Sequence, residues 1–126
     1  MTGNDPFSFP HAPTDIRLRR AEKVLEIAFD DGSNFSFPAE FLRVHSPSAE
    51  VQGHSPEERQ VVAGRRNVGI LDLELVGQYA IRIDFDDLHD TGIYSWRVLY
   101  DFGRRQESLW AHYLREIRDL GLSRDP

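Results

Sequence analysis

One segment of this chain occurs twice. Residues 25–43 read LEIAFDDGSNFSFPAEFLR, and residues 81–100 read IRIDFDDLHDTGIYSWRVLY. Each copy has an alternating apolar run, a Phe-Asp-Asp corner, an aromatic return run and a short apolar segment. Phe29 aligns with Phe85, and Leu42 aligns with Leu99 if the second turn carries one extra residue. Alternating runs joined by a turn are typical of β-hairpins, so the repeat predicts two hairpins that each lead into a short helix.

The rest of the chain adds strands and a final helix. Residues 15–18 and 68–76 alternate as strands do, and residues 106–120 carry apolar residues at helical spacing. Ser95 is a candidate N-cap for the second short helix, and Gly121 is a stop signal for the last helix. We therefore predict an α+β fold. It has one antiparallel β-sheet of about five to six strands, built from two repeated hairpin–short-helix units, with a C-terminal helix packed on one face.

The chain is predicted to contain one domain and a tail. Residues 1–13 carry three prolines among small and polar residues, so we predict a disordered N-terminal tail there. Residues 14–122 are predicted to form a single domain, because 126 residues suffice for one modest core. The sequence shows no signal-peptide pattern and no apolar run as long as a membrane span. We therefore expect a cytoplasmic protein that does not act at a membrane.

The composition limits the classes of partner and of chemistry. A formal net charge of −6 and one lysine among 15 basic residues argue against nucleic acid as a partner. The absence of cysteine excludes disulfides, thiolate nucleophiles and cysteine-based zinc sites. The sequence has no Gly-x-Ser-x-Gly, Ser-x-x-Lys or phosphate-loop motif, so we expect no enzymatic activity.

Three separated stretches carry a resemblance to a known family. They are PTDIRLRRAEKVLEIAFDDG, then FPAEFLR followed by SPSAEV, and then VGQYAIRIDFDDLHDTGIYSW. In this order they resemble the gamma-butyrobetaine hydroxylase-like N-terminal domain, which also occurs alone in bacteria and fused to P-loop iron–sulfur scaffold ATPases. The resemblance covers residues 13–122 and implies a non-catalytic domain without an established reaction when it stands alone. It also implies association with metallocofactor or oxygenase systems.

The resemblance further implies the fate of a zinc site. In the hydroxylases this domain holds a structural zinc through three cysteines after the first short helix and a histidine in the second hairpin. In this sequence the cysteine positions fall near Ser46, Ser48 and Val51, and the histidine falls on His89. Serine does not replace a thiolate on zinc, so we expect the Cys3His site to be absent. Leu88 is a second departure, because the family usually has glycine at that corner.

A reassigned metal site is one hypothesis for the remaining polar residues. Glu50 and His54 lie four residues apart, in the connection that the repeat places next to His89. Two histidines and a carboxylate suit Fe(II), or zinc with water completing its shell, and His45 is a further imidazole. The alternative is that Glu50 and His54 lie on a hydrated loop, while His89 holds the hairpin turn through a hydrogen bond.

The two acidic corners, Asp30-Asp31 and Asp86-Asp87, have a structural explanation. A calcium loop needs more oxygen ligands at defined offsets than these turns offer. A catalytic carboxyl pair needs one buried carboxyl, whereas a hairpin corner is usually hydrated. We therefore predict Asx-turns at both corners.

The interpretation that best fits these observations is a non-enzymatic binding or adaptor domain that acts through protein contacts. Its recognition surface is predicted to combine the long connection, residues 46–66, with the second hairpin, residues 89–96. The candidate contact residues are Arg65, Arg66, Trp96 and Trp110. The alternatives are a metal-binding protein and a structural domain that promotes homodimer formation.

Overall fold

A computed structural model describes residues 9–126 of the protein. The first half contains strands β1 (Pro13–Arg19), β2 (Val24–Phe29) and β3 (Asn34–Pro38), then helices α1 (Ala39–Val44) and α2 (Ala49–Gln52) and a 3-10 turn (Pro56–Glu58). The second half contains β4 (Ile70–Val76), β5 (Ala80–Phe85), β6 (Ile93–Ser95) and helix α3 (Trp96–Asp119). The α+β class, the antiparallel pairing and the C-terminal helix are therefore confirmed.

The strands form two antiparallel sheets of three strands each, in the orders β1-β2-β3 and β4-β5-β6. This corrects the prediction of a single sheet. Short turns join the strands within each repeat, so each repeat completes its own pairing locally. Helix α1 and the long connection separate β3 from β4, and the two sheets meet through their apolar faces in a shared core.

The duplication extends to the first strand of each sheet. β1 has a β-bulge between Pro13 and Asp15 where it pairs with β2. β4 has a bulge at the matching place, between Ile70 and Asp72, where it pairs with β5. The repeated unit is therefore three strands followed by a helix, of which the sequence repeat shows only the last two strands and the helix start.

The extra residue in the second turn is confirmed by the hydrogen bonds that end each hairpin. The Ala39 amide donates to the Lys23 carbonyl at 2.8 Å in the first repeat. The Trp96 amide donates to the Tyr79 carbonyl at 2.9 Å in the second. Ala39 lies ten residues after Phe29, whereas Trp96 lies eleven residues after Phe85. The second turn is therefore one residue longer.

The second short helix and the C-terminal helix form one continuous helix of 24 residues, α3. This corrects the prediction of two separate helices. Ser95 is the N-cap, as predicted, and its hydroxyl accepts a hydrogen bond from the Val98 amide at 3.1 Å. Gly103 interrupts the apolar pattern inside the helix, yet a Cβ there would lie 2.3 Å from the Phe35 ring. The glycine is therefore required by the close approach of α3 to β3.

One core joins the two repeats. Its most buried members include Leu25, Ile27, Phe37 and Leu42 from the first repeat and Ile81, Ile83, Tyr94 and Leu99 from the second. The Tyr94 hydroxyl donates to the Leu42 carbonyl at 2.6 Å, which links the repeats through a buried polar contact. Within residues 9–126, no helix has both the length and the apolar composition needed to cross a bilayer.

Residues outside the predicted domain, 14–122, also contact it at both ends. Residues 1–8 of the predicted tail lie outside the described residues. Pro13 begins β1, and the ring centroids of Phe9 and His11 lie 5.4 Å and 5.0 Å from that of Tyr100. At the other end, Arg124 contacts the domain through Glu40. The packed unit therefore includes residues 9–13 and 123–126 as well as the predicted domain.

Candidate functional site at the second hairpin

The long connection is fastened to the second hairpin by hydrogen bonds. The Ser46 hydroxyl lies 2.9 Å from His89 Nε2, and the Ser48 hydroxyl lies 2.6 Å from that of Thr91. Glu50 Oε1 accepts from the Thr91 hydroxyl at 3.0 Å and lies 3.1 Å from His89 Nδ1. Both chains of hydrogen bonds therefore end at one carboxylate oxygen, which fixes the start of the connection against the turn.

The surroundings of His89 determine its charge and tautomer. Its side chain is 4% exposed. Burial, followed by the positive charge of Arg43, lowers the pKa of His89, although Glu50 opposes this effect. A neutral imidazole donates from one nitrogen and accepts at the other, so Nδ1–H donates to Glu50 and Nε2 accepts from the Ser46 hydroxyl.

Ser46, His89 and Glu50 have the order of a serine–histidine–acid triad, which the sequence analysis did not predict. Ser46 is 0% exposed, and a Cβ on Gly92 would lie 2.6 Å from its hydroxyl oxygen. The same oxygen accepts the Ser48 amide at 3.2 Å. A serine with no exposed surface has no position for a substrate beside it, so the arrangement supports a structural role.

Asp87 forms a second junction between the connection and the hairpin. Its Oδ2 accepts from Arg43 Nε at 2.8 Å and from Arg65 Nε at 2.7 Å. Its Oδ1 accepts from the His89 amide at 3.2 Å, which is the predicted Asx-turn, and Asp31 has the same role toward the Ser33 amide. Burial would raise the pKa of Asp87, but the Arg43 hydrogen bond and charge, with the His89 amide, hold it below its usual range.

Leu88 at the tip of the hairpin is unusual. It has a φ of 73° and is 90% exposed. Left-handed backbone costs a leucine about 1–2 kcal/mol, and an exposed leucine gains nothing from packing. The sequence departure from glycine at this corner was the signal that pointed to it.

The proposed three-residue metal site is not assembled. The structure brings Glu50 and His89 together, whereas His54 is exposed on the connection. His45 is directed elsewhere, with its Nδ1 2.8 Å from the Phe41 carbonyl, and burial lowers its pKa. Within residues 9–126, no group of three or more His, Cys, Asp or Glu side chains is placed to hold a metal ion.

The gamma-butyrobetaine hydroxylase-like, N-terminal family model matches residues 16–100, which is most of the domain that contains these hairpins. The chain belongs to this family. No curated protein matches it. The match begins within β1 and ends in the first part of α3, so it spans both repeats.

Solved structures of similar chains have the same fold. Two NMR solution structures are 46% and 45% identical, with TM-scores of 0.80 and 0.81. The first comparison covers 92% of this chain and 91% of that one, and the second covers 98% and 92%. A crystal structure from Acidithiobacillus ferrooxidans, of a protein of unknown function in the DUF971 family, is 32% identical with a TM-score of 0.59 and covers 76% and 93% of the two chains.

The positions that the resemblance assigned to zinc ligands lie at the junction just described. Ser46 and His89 are hydrogen-bonded, Ser48 is bonded to Thr91, and Val51 is 2% exposed. Two hydroxyls, an aliphatic side chain and one imidazole do not fit zinc, which prefers thiolate and imidazole ligands. In this member of the gamma-butyrobetaine hydroxylase-like N-terminal family, hydrogen bonds join the segments at that place.

The candidate contact residues have different environments in this family member. Arg65 is bonded to Asp87, and the exposed Arg66 lies 2.6 Å from an Asp125 carboxylate oxygen. Trp96 is 8% exposed, and its Nε1 donates to the Gln78 carbonyl at 2.8 Å, so it belongs to the core and has no surface for a partner. Trp110 is half-buried on α3 and remains the more accessible of the two tryptophans.

Proposed function

We propose that this protein is a non-enzymatic binding module that recognises a partner protein through the tip of the second hairpin and the connection fastened to it. Leu88 is the anchor of this surface. The observation that carries the proposal is its combination of a φ of 73° with 90% exposure. Strained backbone that is kept without a packing benefit supports a functional role at the same residue.

The turn that carries Leu88 is held on both sides, which favours a role in recognition. The turn is flanked by the Asp87 and His89 contacts, which tie it to α1 and to the connection. An anchor that is already ordered loses less conformational entropy when a partner binds. These contacts therefore hold the backbone of Leu88 in one position before a partner binds.

The charges around the tip indicate the chemistry of the partner. The side chains of Asp90 and Glu50 are 56% and 62% exposed, and both lie next to the turn that carries Leu88. A complementary surface has an apolar pocket for a leucine, with basic groups at its rim. We propose a partner from metallocofactor or oxygenase systems, because the family is named for the N-terminal domain of a hydroxylase.

The experiment compares wild type with Leu88→Gly, which removes the anchor and relieves the backbone strain. A stoichiometric partner captured from the native host is purified, and its affinity for both proteins is measured by calorimetry. We expect Leu88→Gly to bind at least about tenfold more weakly, as for an interface hot spot, although it is more stable.

Leu75→Thr is the matched control, because Leu75 is 68% exposed on β4, away from this turn. It is expected to bind like wild type. Equal affinity of wild type and Leu88→Gly contradicts the proposal. Size-exclusion chromatography with light scattering shows whether the partner is a second copy of this chain, which is the homodimer alternative.

A further inference from the structure

A second surface feature lies away from the hairpin tip. A groove of about 650 Å³ runs between the start of α1 and the middle of α3. Phe41 and Trp110 contribute apolar surface to it, and Gly103 also lines it. Glu40 and Arg124 also line the groove.

Glu40 is a buried carboxylate with a fixed partner. Its side chain is 7% exposed. Its two oxygens accept from Arg124 Nε at 2.8 Å and from Arg124 Nη2 at 2.7 Å, which is a two-point contact with one guanidinium. A buried carboxylate needs a cation or several donors, so this position is built to hold a positive group.

Trp110 makes the position selective for arginine. The central guanidinium carbon of Arg124 lies 5.2 Å from the centre of the Trp110 ring system. A planar guanidinium can bond a carboxylate at two points and stack on an aromatic face, whereas a lysine ammonium is a hydrated point charge. Carboxylate and indole together therefore form a complete guanidinium-binding box.

Arg124 belongs to the C-terminal segment, residues 122–126, in which every residue except Arg124 is exposed. The Gly64 amide donates to the Ser123 carbonyl at 2.8 Å, and the Arg66 amide donates to the Arg124 carbonyl at 3.0 Å. The ion pair between Arg66 and Asp125 is exposed, and such pairs contribute little to stability. An exposed segment opens more readily than the buried core beside it, because its local opening uncovers less apolar surface.

We propose that this groove is a binding site for an arginine side chain, which Arg124 fills in cis and an arginine of a partner protein fills when the C-terminal segment is displaced. Glu40 and Trp110 bind the guanidinium in both states. The groove beside them accommodates the residues that flank the partner's arginine. The occupant is a guanidinium because the carboxylate is buried and already pairs with one at two points.

The test follows the Trp110 indole N–H by NMR while N-acetyl-argininamide is added. Arg124→Ala vacates the box, so we expect it to bind the probe about tenfold more tightly than wild type, which must first release its own arginine. N-acetyl-lysinamide is expected to bind Arg124→Ala several-fold more weakly than the arginine probe. In wild type, saturating probe should also speed hydrogen exchange at the Gly64 and Arg66 amides, which the displaced segment no longer protects.

The Arg124→Ala/Glu40→Gln variant should lose the arginine preference. If it fails to fold, Arg124→Ala/Trp110→Leu serves instead and should bind the arginine probe more weakly than Arg124→Ala does. The proposal is overturned if Arg124→Ala shows no Trp110 response, or if it binds both probes equally. It is also overturned if wild type never responds, or responds without faster exchange at Gly64 and Arg66, because the segment then stays in place.

Discussion

Leu88 in the second repeat occupies the backbone position that Gly32 has in the first, with φ values of 73° and 89°. Each precedes the residue whose carbonyl accepts the amide of the corner phenylalanine, Ser33 in one repeat and His89 in the other. The two turns therefore share one backbone design, and only the first uses the residue that suits it.

This relationship predicts a stabilising substitution. Leu88→Gly should raise the free energy of unfolding by about 1 kcal/mol, because the left-handed strain is relieved and no buried surface is lost. The reciprocal Gly32→Leu should lower it by about 1 kcal/mol through backbone strain alone, since a Cβ there would meet nothing within 4 Å. Urea denaturation measures both, and a loss of stability in Leu88→Gly would contradict the assignment.

A second prediction concerns the contact between α3 and β3. Gly103→Ala should destabilise the protein by about 1–3 kcal/mol, because the new Cβ would overlap the Phe35 ring and the gain in helix propensity is smaller. Phe35→Leu in the same background should recover part of the loss. Thermal unfolding of wild type, of each single variant and of the double variant gives the coupling energy between the two positions. Strictly additive effects would mean that the two residues do not interact.

Much of the local structure could be predicted from the sequence. The repeated Phe-Asp-Asp corners gave both hairpins and both Asx-turns, and Ser95 gave the start of α3, because these depend on a few neighbouring residues. The division into two sheets could not be predicted, since it depends on how the units meet in space. The continuity of α3 was missed because glycine inside a polar stretch predicts a helix end, whereas Gly103 is explained by a ring from another element.

The candidate site was predicted only in part, because most of its contacts join residues that are far apart in the sequence. The proximity of Glu50 and His89 followed from the repeat geometry and the family resemblance. The role of Ser46 was not predicted, because a buried serine has no distinctive local pattern. The pairing of Glu40 with Arg124 joins residues 84 positions apart, and no periodicity marks such a contact.

A third prediction concerns metal content. The structure offers Glu50 and His89 as neighbouring ligands without a third His, Cys, Asp or Glu beside them in residues 9–126. Zinc and iron sites in proteins use three or four such ligands. Protein purified without chelators should therefore contain far less than one zinc or iron per chain by elemental analysis, and His89→Ala should not change the value. A stoichiometric metal that His89→Ala removes would contradict this prediction.

A fourth prediction concerns the first acidic corner. The Tyr100 hydroxyl donates to Asp31 Oδ2 at 2.6 Å, and this bond, with that of the Ser33 amide, lowers the pKa of Asp31 from 3.8 to about 2. Its stabilising effect is therefore present above pH 3.8 and lost as the pH falls through about 2. Tyr100→Phe should move the pKa of Asp31 back toward 3.8, as measured by NMR titration of the side-chain carboxyl carbon. An unchanged pKa would show that the hydroxyl is not the cause.

The last prediction concerns pH dependence at the junction of connection and hairpin. Burial and the Arg43 charge lower the pKa of His89 below 6.5, so the unfolded chain takes up this proton before the folded protein does. The corresponding stability is therefore present above pH 6.5 and decreases as the pH falls below it.

The experiment compares wild type with His89→Gln, which retains hydrogen-bonding groups but does not titrate. We expect wild type to lose more stability than this variant between pH 7.5 and pH 5.5, which lie about one unit on each side of a histidine pKa. Equal losses in wild type and His89→Gln, measured by urea denaturation at both pH values, would show that the imidazole at the junction is not the titrating group.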